Sequence, residues 1–226
     1  MIDYRAMLRE EAEPEYAEFS SKLIPGKDGI MGVRIPKIRA IAKMIVKDDW
    51  ESFLEDEPEC FEEESLHAIV IASAPMDIER RIGLIDGFLG IIDNWSVCDT
   101  FCASLKIKKA ERDVAYGYLA SLMDTGKEFH MRVSLISRMD HFLDPDHVDD
   151  ILSDIETYRN DGYYYKMGAA WAMSFCYVKF PEPSMRTLVA GKMDDWVFSK
   201  SIQKICESYR VPEEDKQKLK ALKRNR

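Results

Sequence analysis

The apolar residues of this chain fall on a helical period. Ile38, Ile41, Ala42 and Ile45 hold i, i+3, i+4, i+7 spacing, as do Val148, Ile151, Leu152 and Ile155, while Ile78, Ile82, Ile85 and Leu89 keep close to it. Each stripe makes a helix that must find cover for one face. No segment alternates apolar with polar residues between turn signals, so a sheet is not expected. Start signals recur: Pro36 suits the first turn of a helix, and Asp or Asn precedes Trp50, Trp95 and Trp196 as an N-cap. Breaks fall near Pro25-Gly26, Glu57-Pro58, Ala74-Pro75, Asp124-Thr125-Gly126, Asp144-Pro145, Asp161-Gly162 and Phe180-Pro181-Glu182-Pro183, which cuts the chain into about a dozen short helices.

Breaks at that interval give helix pairs of about 40 residues, the length of HEAT or armadillo units, which bury their apolar faces by stacking on neighbours. The expected architecture is all-α: a HEAT-like, armadillo-type α-solenoid of antiparallel helix pairs with a concave groove, read as a single domain over residues 1–226. The internal repeat is weak, since the Asp-Trp and Asn-Trp pairs at Trp50 and Trp95 bring no longer consensus with them. An irregular all-α bundle stays open on these grounds.

Several classes drop out on composition. No uninterrupted apolar run of about 18 residues is present, and the first residues enter mixed charge without the apolar core of a signal peptide, so a cytoplasmic protein with no membrane partner is expected. Cys60, Cys98, Cys102, Cys176 and Cys206 are odd in number and lack CxxC spacing, which suits reduced core thiols. Cys98 and Cys102 share a helical face, but His67, His130, His141 and His147 show no spacing that joins them as zinc ligands, so no metal site is expected. Gly-rich phosphate loops, HExxH and GxSxG are all missing, and no cofactor is expected.

Charge is segregated. The formal total of −9 arises largely between Glu51 and Glu64, where Glu51, Glu55, Asp56, Glu57, Glu59, Glu62, Glu63 and Glu64 meet no basic residue. A second acidic block runs from Asp140 to Asp161. Lys27, Arg34, Lys37, Arg39, Lys43 and Lys47 form a basic stretch, Lys106, Lys108, Lys109 and Arg112 another, and Lys216 to Arg226 a third. Such blocks make either one basic and one acidic face, which would let a groove bind phosphate, or a set of solvated helix faces.

One constellation carries chemistry. A helix capped by Asp93 or Asn94 places Trp95 and Asp99 four residues apart on one face. Tryptophan offers a flat π surface to a cation or sugar, and a neighbouring carboxylate stabilises positive charge as it develops. The same pair also suits a core-edge tryptophan whose neighbour caps or pairs with another helix.

The string Asn94-Trp95-Ser96-Val97-Cys98-Asp99 resembles the N-W-x-x-x-D helix of the DNA alkylation repair glycosylase family, HEAT-like repeat proteins of alkylpurine DNA glycosylase type. Other landmarks follow in the same order. Gly32-Val33-Arg34-Ile35-Pro36-Lys37-Ile38-Arg39 is similar to the family's N-terminal signature, Arg132-Val133-Ser134-Leu135-Ile136 to its central arginine helix, Tyr164 to Met173 to its aromatic helix, and Ser199 to Ser208 to a C-terminal helix of many members.

The resemblance implies removal of cationic N3- or N7-alkylated purines from duplex DNA without a cofactor or metal. Asp99 is then the catalytic carboxylate, Trp95 and Trp171 the groove tryptophans, and Arg132 a phosphate-binding arginine, with Arg34, Arg39 and Lys166 as further DNA-binding candidates. Ser174 stands where some members carry an arginine. Trp95, Asp99, Arg132 and Trp171 are expected on one solvent-accessible cleft, since a stack repeating about every 40 residues sets equivalent positions side by side. The alternatives are a noncatalytic binder of unusual DNA structures and a HEAT-type protein-interaction scaffold.

Overall fold

A computed structural model describes residues 2–224, with side chains to Leu222. Asn225 and Arg226 of the basic C-terminal stretch, with the side chains of Lys223 and Arg224, lie outside the described residues. Within them the chain is wholly helical, with fourteen α-helices and no strand. They are α1 Tyr4–Glu10, α2 Pro14–Leu23, α3 Ile35–Lys47, α4 Trp50–Phe53, α5 Phe61–Ser73, α6 Ile78–Phe88, α7 Trp95–Ser104, α8 Arg112–Ser121, α9 Glu128–Phe142, α10 Val148–Thr157, α11 Tyr163–Lys179, α12 Pro181–Ala190, α13 Asp195–Glu207 and α14 Glu213–Arg224. No helix among the described residues is long and apolar enough to cross a membrane.

Local chemistry sets the helix starts. Asp3, Asp49, Asp77, Asn94 and Asp194 each accept a hydrogen bond from a backbone N–H of the turn they open, which satisfies a donor the helix itself leaves unpaired. The helix bearing Trp196 is thus capped by Asp194, one residue before the expected Asp195. Prolines sit in the first turn of α2, α3 and α12, where their missing N–H costs nothing.

The chain divides into two compact units, one up to Ala115 and one from Tyr116 onward. In the first, α5 packs between α3 and α7, while α4 lies on α3 and α6 on α5. The α3 stripe of Ile38, Ile41, Ala42 and Ile45 is buried and meets Leu66 and Val70 of α5 in one core. In the second, α11 packs between α9 and α13, α10 and α12 pack on each other, and α14 closes against α13. Val148, Ile151, Leu152 and Ile155 are buried there as their spacing requires.

Several charged residues that read as surface from sequence lie inside. In α6 the inward position belongs to Arg81 rather than Ile82. Its guanidinium donates to the carbonyls of Ile71 and of Ala74, the latter at 2.8 Å, and so closes the C-terminal end of α5. Arg138 of α9, 1% exposed, pairs with Asp154 at 2.7 Å. A buried charge is tolerated only with such partners.

The acidic run also departs from a single solvated face. Glu62 is fully buried, and its carboxylate accepts backbone N–H groups of Met31, Gly32 and Val33 at 3.0, 2.8 and 3.1 Å. Glu63 takes the guanidinium of Arg5 at 3.0 Å, Glu64 the ammonium of Lys27 at 2.6 Å, and Glu51 the guanidinium of Arg80 at 2.5 Å. Glu62, Glu63 and Glu64 stand in the first turn of α5, where the helix dipole favours negative charge.

Candidate functional site

In the first unit the candidate residues stand on α7. Val97, Cys98, Phe101 and Cys102 face the core, leaving Trp95 and Asp99, one turn apart, partly exposed on the other side. The start of this helix is tightly held. The Asn94 side chain accepts from the Val97 N–H at 2.9 Å and donates to Asp93 at 2.8 Å. Asp93 in turn meets Lys27 at 2.9 Å, and Lys27 also binds Glu64 on α5. Desolvation alone would lower the Lys27 pKa, but hydrogen bonds and the charges of Glu64 and Asp93 outweigh it and raise it above the ordinary lysine range. The ammonium therefore stays charged and ties the loop before α3 to the starts of α5 and α7.

The indole of Trp95 is fixed at its edge. Its Nε1 donates to the Leu23 carbonyl at 3.1 Å, and the ring lines a shallow cleft with Tyr16, Ser20, Val33 and Phe61. The Gly32-Val33-Arg34 signature is part of the same support. Gly32 has φ +87°, and a Cβ there would lie 2.2 Å from the Glu13 carbonyl oxygen, so only glycine lets its N–H reach Glu62.

Two basic candidates of this unit are engaged. Arg34 forms a two-pronged pair with Glu13 at 2.8 and 2.9 Å and lies over the Tyr16 ring. Arg39 donates to the Ser104 hydroxyl at 2.9 Å, a link between α3 and the end of α7.

In the second unit α9 organises the start of α11. Glu128 accepts the N–H of Tyr164 at 2.6 Å and that of Tyr165 at 3.3 Å, a cap supplied by another helix. One turn on, Arg132 donates to the Tyr164 carbonyl at 2.6 Å. Arg132 is only 5% exposed, and its side chain runs over Gly168, where a Cβ would stand 3.3 Å from it. Trp171, one turn past that glycine, is partly exposed and meets Phe175 edge to face at 5.7 Å. Ser174 turns back on its own helix and donates to the Trp171 carbonyl at 2.7 Å. Lys166 lies between Asp161 at 3.2 Å and Asp194 at 3.6 Å.

The structure thus joins Trp95 with Asp99 on one helix face, and Arg132 with the helix that carries Trp171. Sequence reasoning missed Lys27, Glu62 and Glu128, the groups that fix these helices. All three are charged residues, and nothing in spacing separates a buried charge of this kind from a solvated one. Glu62 had one legible sign, its place at the start of a strongly apolar helix.

No curated protein matches the chain. A family match, described as DNA alkylation repair enzyme, runs from residue 4 to residue 172 and takes in Trp95, Asp99, Arg132 and Trp171. Since that match spans well over half of the sequence, the chain belongs to the DNA alkylation repair enzyme family.

Proposed function

We propose that this protein hydrolyses the N-glycosidic bond of cationic N3- or N7-alkylated purines in duplex DNA, as one HEAT-like domain. The reading rests on one observation: Trp95 and Asp99 share the outward face of a helix whose start is locked by Asn94, Asp93 and Lys27. Alkylation at N3 or N7 leaves the purine positively charged and already a good leaving group. The protein then has mainly to stabilise the sugar cation that forms as the bond breaks, and to hold water for its capture. Asp99 supplies the negative charge, while Trp95 and Trp171 lie against sugar and backbone. Rigidity matters here, because a carboxylate misplaced by about 1 Å loses most of its differential stabilisation of the transition state.

In this reading Arg132, buried beneath the surface, acts chiefly by fixing the Trp171 helix and by its positive field. Arg34, Arg39 and Lys166 meet the duplex only by exchanging their present partners for phosphates. That prior engagement favours, as a second reading, a noncatalytic DNA binder of modest affinity. The deciding experiment is release of a methylated purine from alkylated duplex. The wild type is expected to release it, and Asp99→Asn to lose release by at least a hundredfold while duplex affinity stays within about threefold. A wild type that binds duplex and frees no base would leave the noncatalytic reading in place.

A further inference from the structure

On the second unit, at the end of the family match, a cavity of about 380 Å³ opens beside Trp171. Trp171, Phe175 and Ser174 of α11 form one wall; Lys204 and Glu207 of α13, with Arg210 after it, form the other. This mixture is not that of a purely apolar crevice. The aromatic pair gives a flat surface, and two cations stand against a single carboxylate. That carboxylate is partly used, since Glu207 accepts from the Gln203 amide at 2.8 Å.

Lys204 is the unusual member. It is half-buried and forms no ion pair among the described residues. Lys27 and Lys166, which are also half-buried, each sit between two carboxylates. Desolvation lowers the Lys204 pKa, and Lys200 and Arg132 push it the same way against the opposing pull of Glu207. A half-buried ammonium near two cations and unpaired with the one carboxylate lining the cavity is poorly compensated, and an anion entering the cavity would supply the missing partner.

We infer that Lys204 and Arg210 form a phosphate-binding subsite that grips the duplex backbone beside Trp171. The inference rests on the duplex-DNA reading above and adds residues to it. Phosphate is the matching chemistry because its oxygens accept from an ammonium and a guanidinium together, while the sugar next to it presents an apolar face to Trp171. Ser174, turned onto its own backbone and short, leaves the cavity mouth open between the aromatic wall and the cations.

The test uses the full chain and three variants: Lys204→Gln, Arg210→Gln and Lys204→Arg. Affinity for alkylated and unmodified duplex is measured across a salt series, beside base release. Each glutamine variant should flatten the log–log salt slope by about 0.9 and weaken binding to both duplexes alike, while Lys204→Arg should restore both. If the wild type releases base and the glutamine variants keep its slope, the subsite is wrong and the glycosylase reading stands. If the wild type binds no duplex, both fall. A titration with inorganic phosphate, read by the NMR signal of the Lys204 side chain, is the control for source. Saturation by free phosphate at micromolar concentration, with duplex slope unchanged in the variants, would make this a small-anion site and overturn the duplex assignment.

Discussion

Gly32 ties a single missing atom to the candidate catalytic helix. Its φ of +87° and the Glu13 oxygen 2.2 Å from a built Cβ leave no room for alanine. Gly32→Ala should therefore lower unfolding stability by about 2 kcal/mol or more, and chemical denaturation would measure it. A loss under about 0.5 kcal/mol would mean that the loop is held less firmly than its bonds to Glu62 imply. His67 makes a second residue-scale test. It packs against Phe53 at 4.5 Å, its Nε2 meets no partner among the described residues, and burial lowers its pKa from 6.5 to about 4. The unfolded chain takes up this proton below pH 6.5 and the folded chain resists until about pH 4. The stability contribution is thus complete above the unfolded value and drains away as pH falls between the two. From pH 7 to pH 5 the wild type should lose about 2 kcal/mol through this group, and His67→Leu should show that much less loss.

At the scale of elements, Asn94 shows how a cap can serve a site. It closes the first turn of α7 and reaches Asp93 with the other end of the same amide. Asn94→Ala should cost about 1 kcal/mol of stability, the ordinary worth of an N-cap, yet slow base release by at least tenfold, because Trp95 opens that turn and Asp99 stands one turn on. Asn94→Asp keeps the cap and should recover the stability while losing the tie to Asp93. Equal recovery of rate by the aspartate would show that the Asn94–Asp93 tie is dispensable. The helices that sequence made legible are those covered on one side, such as α3 and α10, whose stripes are buried as spaced. Helices flanked by neighbours on two sides bury residues almost all round, α5 above all, and so lose the period that would mark them. The candidate site divides the same way. Trp95 and Asp99 are readable because both lie on one helix, whereas the Lys204 cavity depends on α11 meeting α13, and its cations look in sequence like any solvated face.

For the whole molecule the decisive quantity is how many cations remain uncommitted under a net charge of −9. Arg34 is bound to Glu13, Lys37 to Glu11, Arg80 to Glu51, Lys108 to Glu111, and Lys166 to Asp161 and Asp194. Exposed pairs of this kind are worth about 1 kcal/mol or less, so a phosphate can replace the carboxylate. The exchange yields little, however, because the cation was already neutralised and the displaced carboxylate remains nearby to repel the backbone. Long-range attraction is also weak for an acidic protein, so association should be slow and little steered. A duplex-binding protein with about six to ten phosphate contacts loses roughly 10³- to 10⁵-fold affinity between 50 and 200 mM salt. With phosphate contact confined to Lys204, Arg210 and at most one further cation, this chain should lose only about 10- to 100-fold over the same range, as fluorescence anisotropy on labelled duplex would record. A loss of a thousandfold or more would show that the carboxylates let go on binding. Glu13→Gln removes both the neutralising carboxylate and its repulsion, so it should raise duplex affinity by more than about threefold where the duplex reaches Arg34, and leave it within about threefold where it does not.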